Sequence, residues 1–252
     1  GVHGRMPSLA TGAHAANRSL VCIGVSGDGD SLSIGLGQLC HVIRRNVRML
    51  YVLENNGVYG LTKGQFSASA DVGTKSKRGQ TNTQQPIDPV LLALTLGATF
   101  VARGFSGDKA QLVPLLKAGL LHDGFAIVDV ISPCVSFNDH EGSTKSYRFT
   151  REHAFDVAPI DLVPVRRRQS QAAAIADADG GDARGPGAAG FVTMPDGSLL
   201  RFRSVDGEYD PTDRNAAYAR IRALRDQGVV ATGLLHVSPG TSPTLHEASG
   251  TT

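Results

Sequence analysis

With 252 residues, 41% of them hydrophobic, the chain is long enough to bury one substantial core with room for a small appendage. A formal net charge of +2 gives no electrostatic case for nucleic acid, and no apolar run reaches the roughly 20 residues that a membrane span needs. Three cysteines at irregular spacing argue against a disulfide framework and for a reducing, cytoplasmic setting. The chain opens at Gly1 inside a motif, without a secretory leader, which predicts a piece of a longer protein.

Val2-His3-Gly4-Arg5 leads into an Ala-rich helical stretch ending near Asn17. The apolar run Leu20 to Val25, which contains Cys22, predicts a strand buried on both faces. It runs into Gly27-Asp28-Gly29, where glycines permit a tight turn and close backbone approach to a ligand. A helix follows, with Asp30 or Ser31 as N-cap and Leu32, Leu36, Leu39, Cys40 and Ile43 on one face. His41, Arg44 and Arg45 fall on its solvated or subunit-facing side. A second strand, Met49 to Leu53, ends at Asn55-Asn56.

In an open parallel sheet the carboxyl ends of the strands form the ligand crevice. Asp28 supplies a hard carboxylate there and Asn56 an amide oxygen. Mg2+ takes oxygen donors and usually completes its octahedron with phosphate oxygens. The unfilled N–H groups at the helix start favour anions in the same place. Taken singly, Gly-Asp-Gly is more often a surface turn and Asn-Asn a loop or helix end. Their joint placement at neighbouring strand ends predicts a metal–diphosphate site.

Phe66 to Gln85 reads as a long loop, with Lys63, Lys75, Lys77 and Arg78 placing cations near that site. Asp88-Pro89 starts a helix that Gly97 stops. Ala98 to Ala102 reads as a strand, Gly107 to Leu121 as a helix kinked at Pro114, and Phe125 to Ile131 as a β-branched strand. The alternation predicts a doubly wound, mostly parallel α/β sheet over residues 1–165. Ser132-Pro133-Cys134 stands at a carboxyl edge, which makes Cys134 the cysteine best placed for chemistry, whereas Cys22 and Cys40 suit the core. Lys145, Tyr147, Arg148 and Arg151 form a basic–aromatic stretch suited to packing on a partner subunit. Residues 166–190 have the composition of a flexible linker or insertion. Residues 191–252 form a small C-terminal α+β extension: a hairpin around Asp196-Gly197, an amphipathic helix over Asp213 to Gln227 using Ala217, Ile221 and Leu224, and a closing strand over Val229 to Val237.

Gly27-Asp28-Gly29, followed about 25 residues later by Asn55-Asn56, resembles the thiamine diphosphate (thiamine pyrophosphate) fingerprint. The continuation Val58-Tyr59-Gly60-Leu61-Thr62-Lys63-Gly64-Gln65 is similar to the beta subunit of 2-oxoacid:ferredoxin oxidoreductases, especially those acting on 2-oxoglutarate or on a broad set of 2-oxoacids such as pyruvate. His3-Gly4-Arg5, Ser132-Pro133-Cys134, Phe137-Asn138-Asp139 and Tyr209-Asp210-Pro211-Thr212 fit the same family, and the resemblance covers most of the chain apart from about 167–190.

The resemblance implies thiamine diphosphate and Mg2+ as cofactors, with Asp28, Asn56 and the Val58 carbonyl on the metal. It places His3, Gly27, Gly29, Asp30, Tyr59, Gly60, Leu61 and Thr62 around the cofactor, with Lys63 a candidate catalytic group. Cys134 is similar to the last of four thiolates on a [4Fe-4S] cluster, whose other three come from an N-terminal Cys-x-x-Cys segment outside this sequence, so the cluster belongs to the full-length protein. The implied reaction is oxidative decarboxylation of a 2-oxoacid to acyl-CoA and CO2, with electrons passing to ferredoxin. An alpha subunit would bring the carboxylate that activates the cofactor, making this chain half of a heterodimeric site. The loop cations are then either solvated or contacts for the 2-oxoacid carboxylate and the coenzyme A phosphates. No nucleic-acid or membrane partner is implied. Ser67-Ala68-Ser69 departs from the family's usual Ser-Pro-Thr, which puts the stiffness of the loop in question. The rival readings are a thiamine-dependent decarboxylase or synthase without a redox acceptor, and a non-catalytic subunit that keeps the fold.

Overall fold

The computed structural model describes residues 2–76, 78–165, 189–205, 207 and 209–240. Helix α1 (Met6–Ala16) precedes strand β1 (Ile23–Gly27), one π-helical stretch (Gly29–Ile34) and α2 (Leu36–Arg44). Strand β2 (Met49–Asn55) then runs into a short hairpin, β3 (Val58–Tyr59) and β4 (Gln65–Phe66). Next come α3 (Pro89–Thr95), β5 (Phe100–Phe105), α4 (Lys109–Leu121) and β6 (Phe125–Ile131). The chain continues through α5 (Tyr147–His153), β7 (Ala154–Ala158) and β8 (Ile160–Val163). It closes with β9 (Ala189–Thr193), β10 (Leu199–Arg203), α6 (Arg214–Asp226) and β11 (Val230–Val237).

The main layer is a six-stranded sheet in the order β1-β2-β6-β5-β11-β7. Strands β1, β2, β6 and β5 are parallel neighbours, and β11 runs antiparallel to β5 and parallel to β7. From β1 to β2 and on to β5 the connections advance across the sheet, whereas the step from β5 to β6 turns back. Right-handed crossovers therefore put α4 on the face opposite α2 and α3. Covered on both sides, β5 and β6 are buried at every residue, and β6 reads as an unbroken apolar run except for Asp129. This is the doubly wound, mostly parallel α/β architecture that the alternation of elements predicts. Strands β8, β10 and β9 form a separate antiparallel sheet. The turn between β9 and β10 is built on Asp196-Gly197, with Gly197 at φ +81°.

Several boundaries differ from the expectation. The first strand starts three residues later, at Ile23, and lies at the sheet edge; Gly24 and Ser26 are buried while Ile23 and Val25 are each 58% exposed. It is not a strand buried on both faces: among the described residues nothing covers the face that carries Ile23 and Val25. The strand after α3 also starts late, at Phe100. The helix starts hold: Asp88 caps α3 by accepting from the N–H groups of Val90 and Leu91, and Asp213 caps α6 through Asn215 and Ala216. Ala217, Ile221 and Leu224 are buried, as their spacing predicts. The final strand does not stand apart from the main layer but enters it between β5 and β7. Within the basic–aromatic stretch, Lys145 pairs with Asp71 at 3.2 Å, and the Tyr147 ring packs edge-on against Phe105. Arg148 remains exposed and pairs with Glu152. Of the expected linker, residues 166–188 lie outside the described residues, while Gly190 belongs to β9. Among the described residues no helix is long and apolar enough to cross a membrane.

Candidate cofactor site

Strands β1 and β2 pair in parallel with Gly27 opposite Glu54, so Asp28 and the Asn55-Asn56 pair leave the sheet side by side. Asp28 is fully buried. Its Oδ2 accepts from the Gly57 N–H at 2.9 Å, from the Ser69 hydroxyl at 2.5 Å and from the Ser67 hydroxyl. Among the described residues its Oδ1 meets one donor, the Asn56 N–H at 3.5 Å. A carboxylate offers about four acceptor directions. One oxygen of Asp28 is thus crowded with donors and the other is nearly unfilled, although buried carboxylate oxygens are normally satisfied. That asymmetry suits a cation on the Oδ1 side.

The segment after β2 is shaped to meet Asp28. Gly57 has φ +78°, and a Cβ there would stand 2.7 Å from the Asn138 side-chain amide, so both backbone and space call for glycine. Asn138 donates its amide to the Asn56 carbonyl at 2.7 Å. The Asn56 side-chain oxygen accepts from the Val58 N–H at 3.1 Å, a local turn that holds the amide over its own loop. A carbonyl-type oxygen keeps a second lone pair for a metal. Asn56 and Val58 are therefore brought to Asp28 by one tight bend.

Gly29 lies directly under Tyr59. A Cβ at Gly29 would come within 2.5 Å of the Tyr59 ring, whose hydroxyl donates to the Gly29 carbonyl at 2.9 Å. A Cβ on Gly27, by contrast, would meet nothing nearer than the Glu54 carbonyl at 4.0 Å. Neither Asp30 nor Ser31 is the helix N-cap that the sequence suggests. Asp28 occupies that position, and the chain first makes a π-helical stretch before α2 begins at Leu36. The Asp30 carboxylate instead accepts from the Ser26 hydroxyl at 2.5 Å, the Gly4 N–H at 2.8 Å and the His3 ring at 2.9 Å. Burial raises the Asp30 pKa, but these hydrogen bonds and the nearby His3 outweigh it and hold the carboxyl below its usual value. His3, though exposed, is tied back to the start of the π-helical stretch.

Gly60, Leu61, Thr62 and Lys63 form the turn of the β3–β4 hairpin, an element that the sequence did not announce. Leu61 is 95% exposed at its tip, Thr62 donates to the Gln65 side chain at 2.6 Å, and Lys63 holds φ +77°. These residues stand farther out than Asp28 and do not contact it in the described structure. Gly64 rests on the Phe137 ring, and a Cβ on Gly60 would lie 3.8 Å from the Cys134 sulfur. Cys134 is therefore beside the hairpin, at the end of β6. An open cleft of about 1050 Å³ adjoins the hairpin, lined by Ser33, Thr62, Lys63, Gln65, Arg78 and Gln84 among others. Lys75 instead sits in an isolated bridge opposite Thr81, and Lys77 lies outside the described residues.

Four side chains that matter to this geometry carried no predicted role: Ser67, Ser69, Asn55 and Asn138. The signal was present for two of them, since Ser67-Ala68-Ser69 keeps hydroxyls at both positions that face Asp28. Among the described residues no three His, Cys, Asp or Glu converge. A divalent ion at Asp28 would thus be held mainly by neutral oxygens and completed by ligand oxygens, the coordination Mg2+ prefers.

Residues 1–130 match the family described as thiamine pyrophosphate enzyme, C-terminal TPP-binding domain. The chain is 41% identical over 171 residues to the 2-oxoacid:ferredoxin oxidoreductase subunit beta of a Sulfolobus species, covering 68% of this chain and 55% of the relative. It is 43% identical over 139 residues to the 2-oxoglutarate oxidoreductase subunit KorB of Mycobacterium tuberculosis, covering 55% of this chain and 37% of the relative. The chain spans about half the length of the curated relatives it matches. A solved structure, 2-oxoglutarate:ferredoxin oxidoreductase from Magnetococcus marinus with 2-oxoglutarate, coenzyme A and succinyl-CoA bound, is similar over 98% of this chain and 66% of its own, with TM-score 0.70 and 29% identity.

Proposed function

This chain belongs to the thiamine pyrophosphate enzyme family and carries its C-terminal TPP-binding domain, and on that premise we propose that it is the cofactor-holding half of a 2-oxoacid:ferredoxin oxidoreductase acting on 2-oxoglutarate. The names of the relatives support the reaction, and the observation that carries the reading is the Asp28–Asn56 junction. A fully buried carboxylate there keeps one oxygen nearly free beside an amide oxygen, at adjacent strand ends.

The residues present fit the group. Asp28 Oδ1, the Asn56 side-chain oxygen and the Val58 carbonyl would hold Mg2+, and the metal would hold the diphosphate. The N-terminal end of the π-helical stretch, at Gly29 and Asp30, offers backbone amides to phosphate oxygens. Tyr59 fixes the Gly29 carbonyl and so sets how close the backbone stands to the diphosphate. Asp30 holds His3 and Gly4 alongside. When bound, thiamine diphosphate would supply the nucleophilic carbon and the electron sink that decarboxylation of a 2-oxoacid needs. Lys63 and Arg78 line the adjoining cleft and are suited to the carboxylate of the 2-oxoacid. Cys134, beside Gly60, would give one thiolate to a [4Fe-4S] cluster in the full-length protein, through which electrons would pass to ferredoxin. Among the described residues no carboxylate is offered for activating the cofactor ring, and an alpha subunit would supply it.

The test is cofactor binding by calorimetry to the assembled enzyme, with Mg2+ present and absent. Asp28→Asn preserves shape but removes the charge. We expect it to lower Mg2+-dependent affinity for thiamine diphosphate by at least about 100-fold, given that a metal-bound charge is lost. Unchanged affinity would remove Asp28 from the metal and the reading with it.

A further inference from the structure

Behind the Asp28 loop lies a buried polar chain that the proposed chemistry does not use. The Ser69 hydroxyl points its single proton between two acceptors, Asp28 Oδ2 at 2.5 Å and the Asn55 side-chain oxygen at 2.9 Å. Asn55 donates its amide to Asp129 Oδ1 at 3.1 Å. Asp129 Oδ2 accepts from Arg103 Nε at 2.7 Å, and Arg103 donates through its terminal nitrogen to Asp88 at 2.7 Å. Asp88 is itself the cap of α3. The register makes the chain possible: Arg103 on β5 stands opposite Asp129 on β6, and Asn55 on β2 stands opposite Ile131, two residues farther along β6.

This is an expensive arrangement for stability alone. Burial works against every charge in it: Asp129 is pushed above the usual carboxylate range, an effect that Arg103 and Asn55 offset only in part, while Arg103 overcomes burial at Asp88 and holds that carboxyl below the usual range. A buried ion cluster of this kind is often no more stabilising than apolar side chains of equal volume. What the cluster does fix is direction. Asn55 has one oxygen and one NH2, and the Asp129 carboxylate accepts only from the NH2, so the oxygen must face Ser69. Arg103, held on both sides by carboxylates, stops Asp129 from turning away. A cavity of about 270 Å³ touches Asn55, Ser69, Arg103 and Asp129, leaving space into which these side chains would otherwise swing.

We propose that Asn55, Asp129 and Arg103 are positioning residues for the metal site, fixing Ser69 and through it the orientation of the Asp28 carboxylate. The inference rests on the reading of Asp28 as a metal ligand. Partners that orient metal ligands typically change metal affinity by 10–100-fold when mutated.

The experiment exchanges the polarity of one link. Asn55→Asp alone sets two carboxylates against each other, and Asp129→Asn alone turns a donor toward Arg103 or toward Asn55. The double variant Asn55→Asp/Asp129→Asn again places every donor opposite an acceptor, from Ser69 to Arg103. Each protein is prepared as the assembled enzyme, and the Mg2+ concentration giving half-saturation with thiamine diphosphate is measured by calorimetry well below the melting temperature. We expect each single variant to need about tenfold more Mg2+ or worse, and the double variant to return to within about threefold of wild type. Single variants that melt earlier but bind with unchanged Mg2+ dependence would leave the chain a purely structural feature and overturn the proposal, as would a double variant no better than the singles. If a single variant does not assemble, the double variant against wild type decides: Mg2+ dependence worsened tenfold despite assembly overturns the proposal. Failure of the wild type itself to show Mg2+-dependent binding would instead sink the functional reading.

Discussion

Gly29 offers a direct test of how the diphosphate loop is built. Replacing it by Ala puts a methyl 2.5–2.8 Å from three atoms of the Tyr59 ring. An ordinary carbon–carbon contact is about 3.5–4.0 Å, so the ring must retreat by roughly 1 Å. That movement stretches the 2.9 Å bond from the Tyr59 hydroxyl to the Gly29 carbonyl beyond useful length. Overpacking typically costs about 1–3 kcal/mol, and the lost hydrogen bond about 1 kcal/mol more. Together these make about 2–4 kcal/mol, so the melting temperature of a chain this size should fall by roughly 4–16 °C. Gly27→Ala is the internal control. Its methyl meets nothing nearer than 4.0 Å, so without cofactor it should melt within about 2 °C of wild type, in keeping with a change below ~0.5 kcal/mol. Pairing Gly29→Ala with Tyr59→Ala should recover part of the loss, because the overlap disappears with the ring. Calorimetric melting of the four proteins without cofactor checks the whole scheme. Equal melting temperatures for Gly29→Ala and Gly27→Ala would refute the seating of Tyr59 on Gly29.

Acid should weaken the fold through His122, which burial and the neighbouring His236 push down to about 4. Unfolding frees it to its ordinary value near 6.5, so its contribution is intact above about pH 6.5 and is lost as pH falls from there toward 4, by up to about 3 kcal/mol; His122→Gln should flatten that part of the pH–stability curve measured by denaturant titration. Asp71 ties the 66–85 loop to the segment before α5 by accepting from the Thr144 N–H and hydroxyl and from Lys145. Asp71→Ala takes the carboxylate from a largely buried Lys145 ammonium and leaves the Thr144 N–H without its acceptor, and should speed hydrogen exchange in residues 66–85 and 139–146 at least tenfold while strands β2 and β6 stay protected.

The layers were legible because their signals are local. Asp88-Pro89 and Gly97 mark both ends of α3, and β6 is bounded by residues that end an apolar run where the strand ends. Ala217, Ile221 and Leu224 recur at helical spacing and are buried. The first strand misled for a physical reason: Leu20 to Val25 reads as a buried run, but burial on both faces depends on which layers cover the sheet, and among the described residues one face of β1, carrying Ile23 and Val25, is left uncovered. The late start at Ile23 follows from the pairing with β2, which begins opposite Leu50. At the site, the spacing was enough to bring Asp28 and Asn56 to neighbouring strand ends. What stayed hidden was everything held by long-range contact. Nothing near Asn138 in sequence says that its amide reaches the Asn56 carbonyl, and nothing near Arg103 says that it lies between two carboxylates. The β3–β4 hairpin escaped because each strand has two residues, too few for any periodicity.

The departure at Ser67-Ala68-Ser69 shows how the loop keeps its shape without a proline. Proline would fix φ at position 68 and remove an N–H. Here the Ala68 N–H is present and donates to the Ser33 hydroxyl at 3.0 Å, while the Ala68 carbonyl accepts from the Ile87 N–H at 2.8 Å. Two hydrogen bonds, one to the π-helical stretch and one to the segment entering α3, thus hold the residue that proline would have stiffened. Because Ala68 is anchored from both sides, the hydroxyls on either side of it converge on the same oxygen of Asp28. Their convergence leaves the second oxygen with its single long contact. The orientation of the candidate metal ligand is therefore set by the loop that follows the hairpin as much as by the strand that carries Asp28.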